Sequence, residues 1–279
     1  MKKAEKISSG QLRLSRELRL LPGYFIVILW CVFTFLLLGW VFLASFSTTK
    51  EIFSNHLLQS GFHLENFRKA WVNSDVSTIF FNSLFYSLSS CALLVLIASP
   101  AAYALSRFDF PGNSIIQSAF AGSMGVPVVM IVLPLFSLVA GLDVLNHTLL
   151  NRLTLIFLYT GINVPYTTIF LTAFFANLSR SFEEAASIDG CPMGKAFWLI
   201  MLPMAQPGII TVTIFNFVNI WNEYFISLIF GNSDKVRSVA VGLYSMINSM
   251  KYTGDWAGMF ASVTIVFLPT LLLYLFLSE

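Results

Sequence analysis

Ionisable side chains are scarce in this sequence, and four of them crowd into one segment. Residues 181–207 read SFEEAASIDGCPMGKAFWLIMLPMAQP and carry Glu183, Glu184, Asp189 and Lys195. Carboxylates at that density suit ionic contact with another protein or with headgroups, and they lack the companions of a reaction centre. His56, His63 and His147 show no metal-ligand spacing. Cys31, Cys91 and Cys191 are odd in number and far apart, so neither a zinc site nor a disulfide framework is expected. Residues 190–196, GCPMGKA, echo a phosphate-binding loop but are one residue short, lack Ser or Thr after Lys195 and follow no strand. The chain is therefore not expected to hydrolyse ATP, to hold a metal or cofactor, or to act as an enzyme.

Glu223 is the second residue to weigh, because it stands in an apolar stretch. A carboxylate at the centre of a bilayer costs on the order of 3 kcal/mol, so it should face a partner or a water-filled cavity. At about 100° per residue a helix would bring Asn216, Asn219, Glu223 and Ser227 to one face, with Trp221 nearly opposite. Such a stripe either lines a pathway or bonds one helix to another. Asn82, Tyr86 and Ser89, and Tyr159, Asn163 and Tyr166, form similar faces in two other apolar stretches.

The elements that must position these groups follow from composition. With 57% hydrophobic and 11% charged residues the chain cannot present an ordinary wet surface. It reads as an all-α integral membrane protein, since helices satisfy their own backbone groups in hydrocarbon and barrel-type alternation is absent. A span needs about 20 apolar residues. Windows of that kind cover 23–46, 76–105, 114–141, 153–176, 207–230 and 257–277, which predicts six spans. Pro100, Pro127, Pro134, Pro165 and Pro269 lie within them and should kink their helices. Lys2, Lys3, Lys6, Arg13, Arg16 and Arg19 precede the first window, so the N-terminus is expected on the cytoplasmic side. That parity makes 177–206 a cytoplasmic loop between the fourth and fifth spans. The organisation expected is an N-terminal cytoplasmic segment, 1–22, and one membrane domain, 23–279. The net charge of +2 gives no reason to expect nucleic acid.

Within the loop, Ser181 and Glu184 have capping-box spacing, Gly190 suits a helix end, and Pro192 suits the first turn of a second helix. Pro203 and Pro207 should interrupt that helix. By physics alone the element is either an amphipathic helix resting on headgroups or a docking helix for a protein.

Glu184-Ala185-Ala186, Asp189-Gly190 and Ile200-Met201-Leu202-Pro203 resemble, at the right spacing, the EAA motif of bacterial ABC-importer permeases. Ala102-Tyr103-Ala104-Leu105-Ser106-Arg107-Phe108 with Phe110-Pro111-Gly112, Trp221-Asn222-Glu223 and Val241-Gly242-Leu243 extend the likeness to the MalG-type subunit of oligosaccharide importers. Cys191 stands where that family usually has alanine. The sequence stops at Glu279, where relatives usually continue in a short basic tail.

The resemblance implies a type I importer permease fold in a bacterial cytoplasmic membrane. It implies a second permease subunit, two ABC ATPases that bind ATP and Mg, an extracytoplasmic solute-binding protein and a sugar cargo. Glu183, Glu184, Ala185, Ala186, Asp189, Gly190 and Pro203 become the ATPase-coupling set. Asn82, Tyr86, Asn163, Asn216, Asn219 and Glu223 become candidates for the sugar pathway. Glycerol phosphate and acidic oligosaccharides are cargoes of the same permease type. An ion-coupled carrier would need more intramembrane charge than Glu223 supplies, or a repeat, and neither is seen.

Overall fold

The computed structural model describes the backbone of residues 2–73, 75–231 and 233–277, and among these every regular element is helical. Long helices α1 (Lys2–Ser45), α4 (Val76–Arg107), α7 (Thr148–Ala176) and α14 (Trp256–Leu277) alternate with shorter ones. These are α2 (Thr49–Ser54), α3 (Glu65–Asn73), α5 (Asn113–Ser123), α6 (Val128–Gly141), α8 (Ser181–Ile188), α9 (Met193–Ala196), α10 (Leu202–Met204), α11 (Gln206–Trp221), α12 (Phe225–Phe230) and α13 (Val239–Thr253). A π-helical turn, Phe197–Met201, joins α9 to α10.

Among the described residues four stretches, Leu20–Ser45, Val76–Arg107, Thr148–Ala176 and Trp256–Leu275, are each long and apolar enough to cross a membrane. Two further candidates are bent pairs, so the count lies between four and six. The window 114–141 is not one helix: α5 and α6 meet at 98°. Pro127 is itself extended as the cap of α6, and just before it the chain turns through Gly125 N–H to the Gly122 carbonyl. The window 207–230 is also broken. Helix α11 stops at Trp221 and α12 starts at Phe225, while on its other side α11 meets Met193–Met204 at 71°. Pro100, Pro134, Pro165 and Pro269 lie inside helices. The boundary expected at residue 22 falls within continuous helix α1.

The chain divides into two compact units, 1–69 with 254–265, and 70–253 with 266–279. In the first, Ala44, Ile52 and Ala257 form a small core flanked by Leu57 and Phe260. A capping box opens α2: Glu51 N–H reaches the Thr48 hydroxyl and the Glu51 carboxylate accepts from Thr48 N–H.

In the second unit α4 and α7 pack along their length and α11 lies on both. Small residues allow this closeness, as they do between helices in lipid. A side chain on Gly208 of α11 would start 2.5 Å from the Phe174 ring, and one on Gly242 of α13 would start 2.5 Å from Ile79. At one end Ala98, Ala102 and Tyr103 of α4 meet Leu171 and Phe175 of α7 and Phe197, Met201, Ala205 and Val212 beyond them.

Candidate functional site

The segment 177–206 is a folded element on that core. Helix α8 begins at Ser181, one residue earlier than a capping box with Ser181 as its cap would require. Arg180 is the cap residue and contributes no side-chain bond, while its carbonyl accepts from Glu183 and Glu184 N–H. The Ser181 hydroxyl instead lies 2.7 Å from that of Ser179. The other end follows expectation. Gly190 takes φ +73°, its N–H reaches the Ser187 carbonyl, and Cys191 N–H reaches Ala186 at 2.9 Å, a Schellman closure. Pro192 then stands just before α9 in extended geometry, with its carbonyl accepting from Lys195 and Ala196 N–H.

The seventeen residues from Ser181 to Phe197 sort sharply by face. Ala186, Ala196 and Phe197 are each 5% exposed and face the core. Phe197 packs on Tyr103 with ring centroids 5.0 Å apart, and Tyr103 packs on Phe175 at 5.6 Å. Glu184, Ala185, Asp189 and Gly190 are exposed, as are Ile188, Met193 and Trp198. Pro203, farther on, is exposed too.

Glu183 differs from its neighbour. It turns inward to Arg107, the last residue of α4, with Oε1 3.1 Å from Nε. The Arg107 Nη2 donates to the Leu178 carbonyl at 2.8 Å. In the sequence Arg107 stands out only as part of the turn after the second apolar window. A cation closing a long apolar helix suits the helix dipole, which explains its place at the end of α4 without pointing to Glu183.

The polar stripe forms a ladder between α7 and α11. Asn216 Nδ2 donates to the Thr167 hydroxyl at 2.9 Å, and Asn219 Nδ2 donates to Asn163 Oδ1 at 3.0 Å. Tyr159 hydroxyl donates to Glu223 Oε2 at 3.2 Å. The stripe does not, however, lie on one continuous helix, because Glu223 occupies the break after Trp221. Its Oε1 accepts from Ile226 N–H at 2.8 Å and its Oε2 from Ser227 N–H at 3.1 Å, so the carboxylate opens α12. Trp221 lies away from the ladder, stacked on Phe217 and edge-on to Phe80.

Asn82 and Tyr86 hold the segment that leads into α13. Asn82 Nδ2 donates to the carbonyls of Lys235 and Arg237, its Oδ1 accepts from Arg152 Nη2 at 2.9 Å, and Tyr86 hydroxyl donates to Val236 at 2.8 Å. Of the six pathway candidates, Asn82, Tyr86, Asn163 and Asn216 are buried with partners inside the chain. Asn219 is exposed and Glu223 partly so.

A helical membrane bundle that seats a polar loop between two apolar stretches has the build of a transport permease. Residues 94–278 match the family described as binding-protein-dependent transport system inner membrane component. The chain belongs to that family, a multi-pass membrane protein of the ABC permease type. It is 33% identical over 250 residues to the diacetylchitobiose uptake system permease protein NgcG of Streptomyces coelicolor, covering 89% of this chain and 82% of that one. It is 31% identical over 216 residues to the sulfoquinovosyl glycerol transport system permease protein SmoH of Agrobacterium fabrum, covering 77% and 74%. Its fold matches a chain in the crystal structure of a bacterial ABC transporter involved in the import of the acidic polysaccharide alginate. There the TM-score is 0.78 at 20% identity, over 92% of this chain and 95% of that one.

Proposed function

We propose that this chain is one of two permease subunits of an ATP-driven sugar importer. Six spans, two of them bent, cross the bacterial cytoplasmic membrane with the N-terminus and the 177–206 loop on the cytoplasmic side. The observation that carries the reading is the seated loop. Its inner face is bound to the bundle while Glu184, Ala185, Ile188 and Asp189 stand together in solvent, available to a partner. That partner is a cytoplasmic ATPase, which supplies ATP and Mg; this chain binds neither. A solute-binding protein delivers cargo on the far side, and the spans alternate between inward- and outward-facing states through differential binding.

The cargo reading favours a neutral sugar. Asn219 and Glu223, the ladder groups that reach the surface, offer an amide and a carboxylate without a cation. An acidic sugar, like those named for SmoH and the alginate importer, would meet Glu223 as a like charge.

The test is Glu184→Lys in the assembled transporter. Insertion and pairing with the second permease should persist, while ATPase retention falls about 30-fold or more, the equivalent of about 2 kcal/mol at a charged contact. Undiminished ATPase retention in this variant would overturn the docking assignment.

A further inference from the structure

We infer that Arg107 and Glu183 form a transmission joint, fixing the loop to α4 so that force on the loop moves α4 instead of bending the loop. This rests on the reading that the loop docks an ATPase. It also separates the two adjacent glutamates: Glu184 meets the partner, and Glu183 is a positioning residue that never touches it.

The geometry makes one guanidinium the meeting point of three elements. Arg107 belongs to α4, its Nε faces Glu183 in the first turn of α8, and its Nη2 holds the carbonyl of Leu178 just past α7. Its side chain is 5% exposed and that of Glu183 is 21% exposed. The Tyr103 ring beside it packs on Phe108, Phe175 and Phe197 and helps exclude water. The two contacts differ in kind: Nη2 makes a hydrogen bond to the Leu178 carbonyl, while Nε and Glu183 Oε1 are buried side by side as an ion pair outside hydrogen-bond geometry, so charge holds Glu183. By contrast, the covalent links of α8 to its neighbours are short turns closed by local backbone bonds, none of which reaches α4. One is the short turn 177–180, with Ser179 in it, and the other is the left-handed Gly190. Without the ion pair the loop keeps its aromatic seat under α9 while α8 is free to tilt.

The experiment uses the full transporter, with partner permease and ATPases, reconstituted in nanodiscs with the three native cysteines replaced. Spin labels go on Phe182, about 200° around α8 from Glu184, and on Phe81, which is exposed on α4. The distance between them is measured nucleotide-free and after trapping with ATP and vanadate. The native pair should give one narrow distance in both states. Glu183→Gln and Arg107→Gln should retain the ATPases yet show the distance shifting and broadening on trapping, by about 1–5 Å, the scale of helix shifts. The exchange Arg107→Glu with Glu183→Arg should restore the narrow distance, for which an adjoining cavity of about 200 Å³ leaves room.

A distance that shifts in the native protein, or stays fixed in both single variants, overturns the joint. Loss of the ATPases from Glu183→Gln makes Glu183 a docking residue and overturns it as well. If Arg107→Gln fails to insert, Glu183→Gln, which leaves Arg107 its Leu178 carbonyl, decides the matter alone. Glu184→Lys run in parallel reports separately on docking itself, since retention of the ATPases there would refute that reading whatever the distances show.

Discussion

Two glutamates, Glu183 and Glu223, are held at different places in the α4–α7–α11 bundle by different chemistry. Glu183 is neutralised by a full positive charge on another helix. Glu223 is neutralised by the N–H groups of Ile226 and Ser227, a few residues onward, and by the phenol of Tyr159. A carboxylate satisfied by its own chain is a cap: it decides where a helix begins and exerts little force on distant elements. A carboxylate satisfied by a cation on another element is a fastening, and removing either half leaves a charge without its partner. The chain thus fixes the α8 loop by an ion pair between elements and the α11–α12 break chiefly by local bonding, with the neutral Tyr159 phenol as its one bond across to α7.

The largest effect should come from breaking the fastening. Arg107→Ala should lower stability by about 3 kcal/mol, the lower range for a severed buried pair because Glu183 keeps some solvent. Unfolding followed by tryptophan fluorescence reads this, and Arg107→Lys should recover part of it by keeping the charge but losing the fork. Next comes the cap. Glu223→Ala removes two backbone bonds and should cost about 2 kcal/mol, seen as faster amide exchange at Ile226 and Ser227 while α8 stays protected. An equal loss of protection in α8 would erase the contrast.

The ladder should matter less still. Asn216→Leu should cost about 0.6 kcal/mol, the mean for polar bonds between helices in a membrane. A third carboxylate sharpens the comparison. Glu51 accepts from Thr48 N–H, the Ser60 hydroxyl and Ser60 N–H, which together lower its pKa from 4.5 to about 2. Because the folded value is the lower one, this contribution is complete above pH 4.5 and is lost as pH falls toward 2. Amide exchange around α2 should therefore quicken over that interval, and Glu51→Gln should abolish the dependence.

Much of this was legible in the sequence where the controlling residues are near neighbours. Glu184, Gly190 and Pro203 gave the loop away by spacing, and the left-handed Gly190 needs only its own flanking residues to be understood. The Arg107–Glu183 tie was not legible, because nothing local to either residue names a partner so far along the chain. The break at 222–224 escaped for a different reason. Hydropathy runs on through Trp221 to Phe230, and Glu223 looked like a rung of a continuous helix until its oxygens were found on backbone N–H groups. Pro127 did announce a disturbance, but a kink and a near right-angle turn of 98° have the same sequence signature.

The Schellman closure at Gly190 bears on the cysteine that follows it. What the turn asks of position 191 is an amide hydrogen for the Ala186 carbonyl, and any residue but proline has one. The thiol, only partly covered, contributes nothing to that closure. The shape of the loop is therefore served equally by alanine or cysteine at 191, and Cys191→Ala should leave the closure intact.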